Sequence, residues 1–108
     1  MTAIKLMSNT MKSVDIGRTF GDLGELIGGT PMSVYKAPRY LIIAAAEAEA
    51  RGVRTNPVAS RLAHEPVYGT AVVIGTNGES WTNISAEVII QIRKLYQEEK
   101  RNVVEKDC

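Results

Sequence analysis

The run VYGTAVVIG, residues 67 to 75, constrains the fold most. Val72, Val73 and Ile74 follow one another without a polar break, so neither face of a strand built from them can lie in water. Such a strand belongs in the middle of a sheet, and the turn TNGE ends it. The rest of the sheet must come from a chain of 108 residues. That length suits one domain, which buries roughly two thirds of its unfolded surface.

The segments flanking this strand read as helices. Asn56 followed by Pro57 is a preferred N-cap with proline at the first helical position. Val58, Ala59, Leu62 and Ala63 form the buried stripe, Ser60, Arg61 and His64 share the opposite face, and Pro66 ends the helix. A last helix starts at Ser85, with Glu87 in its first turn and Ile84 and Ile89 at the spacing of a hydrophobic staple. Val88, Ile89, Ile92, Leu95 and Tyr96 form its apolar face. Beyond Gln97 the chain is mostly charged. The expected division is a domain over 1–97 and a charged C-terminal extension over 98–108, with Val103 and Val104 available to a partner chain.

Upstream, TAIKLMS (2–8) and SVDIG (13–17) alternate with period two and predict paired strands around SNTMK. RTFGDLGELIGGTP predicts a short helix. Thr19 and Asp22 would form a capping box, Phe20, Leu23, Leu26 and Ile27 would share one face, and Gly28, Gly29 and Pro31 would stop it. Gly21 and Gly24 weaken this helix by roughly 1 kcal/mol each against alanine, so it depends on packing. A phosphate-cradling loop wants its glycines before a helix, and here they lie inside and after one. Met32, Val34 and Lys36 alternate as an edge-like strand until Pro38. LIIAAAEAEAR, from Leu41, satisfies two templates. Alanine and glutamate favour helix, yet no N-cap introduces the run and AEAEAR also alternates. Propensity alone favours helix.

Charge and cysteine usage narrow the partners. Thirteen basic and 12 acidic residues give a net charge of +1, which argues against strong attraction to duplex nucleic acid or an anionic membrane. The one cysteine, Cys108, excludes an intrachain disulfide and does not sit where a prenylation signal needs it. MTAIKLMSNTMK holds no secretory apolar core, and Tyr40 to Ala46 is too short to span a bilayer. A cytosolic protein without membrane attachment is the expectation.

One His and one Cys cannot make a familiar zinc site, and Glu47 and Glu49 read as a solvated turn, so no metal or cofactor is expected. Ser60, His64 and Glu65 lie close in sequence, but no nucleophile elbow surrounds the serine, and a polar helix face explains them. Anion binding is the sharper expectation. Arg54, Asn56 and Arg61 surround a helix start, and His64 and Trp81 could stack on a base. Taken alone, Trp81 reads first as an aromatic that covers core.

LGELIGGTPMSVY (23–35), YLIIAAAEAEARGVRTNPVASRLAHEPVYGTAVVIG (40–75) and SWTNISAEVI (80–89) occur in this order. Together they resemble a family of small uncharacterised domains carried mostly by phages, plasmids and their bacterial hosts, over roughly residues 15–95. The resemblance implies a strand at YLIIAAA, followed by a turn with an acid at Glu47. Family members more often carry Asn and Gly where this chain has AEAEARG, which keeps the helix alternative open, but the resemblance shifts the expectation to a strand over 39–46. The implied fold is α+β, β-β-α-β-β-α-β-α, with a mainly antiparallel sheet and helices packed on one face. The family has no established activity, so no catalytic residue carries over. What it implies is a mobile element in a host cytosol. The expected function is non-enzymatic: a homo-oligomeric accessory protein that sequesters a nucleotide-like molecule in counter-defence. The alternative is an interaction module that blocks a host protein through the strand edge Met32 to Lys36 or the last helix. A small enzyme is the remote alternative.

Overall fold

The apolar run at 71–76 becomes the central strand of a six-stranded sheet in which every pairing is antiparallel. A computed structural model describes residues 1–17 and 21–107, with side chains for 1–17 and 23–100. In chain order the elements are β1 (Thr2–Leu6), β2 (Met11–Asp15), α1 (Gly21–Ile27), β3 (Pro31–Lys36), β4 (Tyr40–Ala45), α2 (Pro57–Ala63), β5 (Ala71–Thr76), β6 (Trp81–Thr82) and α3 (Ala86–Asp107). Across the sheet the order is β2-β1-β5-β4-β3, and the two-residue β6 pairs with the far end of β5. The α+β class and the element order are those expected, with β6 added. Among the described residues no helix is long and apolar enough to cross a membrane.

YLIIAAA is a strand. Leu41 and Ile43 point to one side of the sheet, Ile42 and Ala44 to the other, and all are buried. Pairing with β5 on one edge and β3 on the other satisfies its backbone. This outweighs the helical preference of alanine, because a helix here would leave one edge of β5 and the facing edge of β3 unpaired. AEAEARG then forms turns closed by bonds from Arg51 N to Glu47 O (3.0 Å) and Val53 N to Ala48 O (3.1 Å).

The helices do not share one face. α2 and α3 cover the side that presents Ile4, Leu6, Ile42 and Val73. α1 covers the other through Leu23 and Ile27, packed on Leu41, Ile43, Val72 and Ile74. Strands apolar on both sides need cover on both sides, so a one-sided arrangement would have left Val72 and Ile74 in water. The capping box of Thr19 and Asp22, the place of Phe20, and the side chains of Val103, Val104 and Cys108 lie outside what is described.

α2 has the expected stripe, with Val58, Ala59, Leu62 and Ala63 buried. Ser85 Oγ accepts from Val88 N at 3.3 Å and so caps α3. Gly29 brings two motifs together: a Cβ there would overlap Glu47 Oε1 and lie 2.7 Å from the Ala45 Cβ. The glycine lets the Glu47 carboxylate reach in and accept from Thr30 N at 2.7 Å, joining the α1–β3 turn to the turn after β4.

Candidate cleft at the start of α2

Asn56 organises the region in which an anion site was expected. It is 2% exposed and its side chain makes three bonds. Oδ1 accepts from Ala59 N at 3.1 Å, while Nδ2 donates to Leu6 O and to Gly69 O, each at 3.0 Å. Its backbone N–H donates to Val67 O at 2.7 Å. One amide thus joins the start of α2 to the end of β1 and to the segment entering β5. Both amide protons are used, so Asn56 builds the frame and offers no donor to a ligand.

An open cleft of about 470 Å³ lies around this frame. Ser8 and Asn9 from the β1–β2 turn form one wall, the segment 53–57 another, and Gly69 and Thr70 the third. The Tyr96 hydroxyl, from α3, donates to Met7 O at 2.6 Å and holds the first wall. Burial pushes that phenol up to about 12. Arg54 is exposed, and its backbone is fixed by the bond from Gly69 N to Arg54 O, 2.9 Å. Among the described residues its guanidinium forms no ion pair, and none of the described lining residues carries a carboxylate.

The other expected site residues lie elsewhere. Arg61 forks between Glu98 (2.8 Å) and Glu99 (3.3 Å) of α3, so its charge is already answered. His64 is the left-handed C-cap of α2, with φ 59°, and its ring meets Tyr35 edge-on at 6.1 Å. Arg61 and His64 thus sit toward the end of α2 away from Arg54, a helix of seven residues spanning about 10 Å. Trp81 packs with the α1 side of the sheet, on the face opposite α2. Of the five residues, only Arg54 and Asn56 meet. A helix this short does not hold an anion by its dipole, and Asn56 already occupies the Ala59 N–H. The attraction in the cleft comes from the Arg54 side chain.

Ser60 is not poised as a nucleophile. Its Oγ accepts from Val67 N at 2.9 Å and donates to Val67 O at 3.3 Å, which fastens the loop after α2. Among the described residues no three His, Cys, Asp or Glu side chains lie together. Sequence reasoning missed Ser8, Asn9, Val53, Thr55 and Thr70 as lining residues. The signal for Ser8 and Asn9 was a polar SNT between two strands, which read only as a turn. No family model, curated protein or solved structure matches the chain.

Proposed function

We propose that the protein is a non-catalytic binder that holds a small anionic, nucleotide-like molecule in the Arg54 cleft. One observation carries this reading: a cleft of about 470 Å³ combines an arginine without an ion pair among the described residues and a described lining without carboxylates. A guanidinium binds a phosphate or carboxylate through two parallel bonds. The hydroxyls of Ser8, Thr55 and Thr70 and the Asn9 amide supply further donors to an oxyanion. The described lining holds no His, Cys, Lys or acid to act as nucleophile or general base. Such a site binds and releases its ligand unchanged. Sequestration of a nucleotide signal needs only that, and the resemblance to domains of mobile elements supplies the setting, counter-defence in a host cytosol.

A second reading, docking to a host protein or to another copy of the chain, draws on α3, where Ile90 is 63% exposed. The β3 edge is less suited to it. Pro31 lacks a donor, and the register shifts between Ser33 and Tyr35, two devices that blunt an edge strand.

Thermal shift tests the first reading with phosphate, sulfate and nucleoside mono-, di- and cyclic phosphates. A ligand at a hundred times its Kd stabilises by about 2.7 kcal/mol. Arg54→Ala should remove the rise and leave the unliganded melting temperature unchanged. If no anion raises the melting temperature of the wild type, the reading is abandoned.

A further inference from the structure

The cleft is not uniformly polar. Val53 lines it beside Arg54 and is 40% exposed, one of three large hydrophobic residues so exposed among those described. The backbone holds it in place: Val53 N donates to Ala48 O at 3.1 Å, and its Cγ1 lies 3.0 Å from where a Cβ on Gly69 would stand. Pro57, whose ring presents only carbon, also lines the cleft. Its volume, about 470 Å³, falls in the range of roughly 300–1,000 Å³ that holds small organic ligands. Inorganic phosphate on Arg54 would leave most of that space, and the Val53 surface, to water.

Resting on the reading of Arg54 as an anion site, we infer that the cleft takes a phosphate monoester whose body carries an apolar face. The phosphate lies on the Arg54 guanidinium and the neighbouring hydroxyls. The body lies over Val53 and Pro57, whose apolar surface leaves water on binding. Affinity then comes from both ends of the ligand, and the apolar end sets the preference among phosphate esters.

Isothermal titration of the full chain separates the two ends, using inorganic phosphate, ribose 5-phosphate and adenosine monophosphate. Adenosine monophosphate should bind at least about tenfold more tightly than the other two. Val53→Ser should weaken it about fivefold and leave phosphate and ribose 5-phosphate unchanged. Val53→Thr, which keeps the shape, repeats the comparison if the serine variant does not fold. Arg54→Ala should abolish binding of all three. Equal affinities, or a nucleotide affinity that ignores Val53, overturn this inference and leave the anion site standing. If none of the three binds, the anion site falls and the inference falls with it.

Discussion

The Tyr96 hydroxyl donates to the Met7 carbonyl at 2.6 Å, and through this bond α3 grips the turn that carries Ser8 and Asn9. The cleft wall therefore depends on a helix that does not itself line the cleft. Tyr96→Phe should lower stability by about 1 kcal/mol, the worth of one such bond. The melting temperature should then fall by roughly 5 °C. Anion affinity should fall as well, since the wall loses its tie.

The burial of the same phenol has an alkaline signature. Burial raises the Tyr96 phenol from 10.0 to about 12. The neutral phenol's contribution is complete below pH 10 and is lost as the pH climbs toward 12, because the unfolded chain gives up this proton more readily. Urea unfolding across that range should show a shallower decline for Tyr96→Phe than for the wild type. Identical slopes would contradict the assignment.

Asn56→Ala should destabilise by about 3 kcal/mol, combining a lost N-cap with two carbonyls left without a donor. Asn56→Asp keeps the cap acceptor but turns an acceptor toward Leu6 O and Gly69 O, so it should also destabilise. Denaturant unfolding measures both. A wild-type midpoint for the aspartate variant would show that the two carbonyl contacts do not matter.

Gly29→Ala should cost about 1–3 kcal/mol by overpacking, since its methyl would press on Glu47 and Ala45. The Glu47 carboxyl is held below its usual value of 4.5, chiefly by the Thr30 backbone N–H. Its contribution is present above pH 4.5 and is lost as the pH falls through the lowered value. Glu47→Gln should flatten the acid side of the stability profile, which unfolding at pH 3 to 6 reads directly.

Arg61→Ala should cost less than about 1 kcal/mol, because both of its ion pairs are partly exposed and screened by salt. Melting curves at low and high salt should converge. Anion binding should not change, since Arg61 does not line the cleft.

Local chemistry made α2 and α3 legible: an Asn-Pro start, a Ser cap, and apolar stripes at helical spacing. The strand at Tyr40–Ala45 was ambiguous because alanine and glutamate favour helix, while the deciding facts, pairing with β5 and burial on both faces, are not local. The second helical layer was in principle readable. Val72, Val73 and Ile74 already required cover on both faces, and α1 supplies it. Arg54 and Asn56 fall together because they are neighbours in sequence. Trp81 was grouped with them by chemical type, and the sheet separates them. Ser8 and Asn9 could not be placed, since their nearness to Arg54 depends on β1 pairing with β5.

Amide chemical-shift mapping on the labelled full chain, titrated with adenosine monophosphate, tests the central claim most directly. The predicted result is a set of saturating shifts confined to Ser8, Asn9, residues 53–56, Gly69 and Thr70, and lost in Arg54→Ala. Saturating shifts centred on Trp81 or on β3, or no shifts at all, would contradict it.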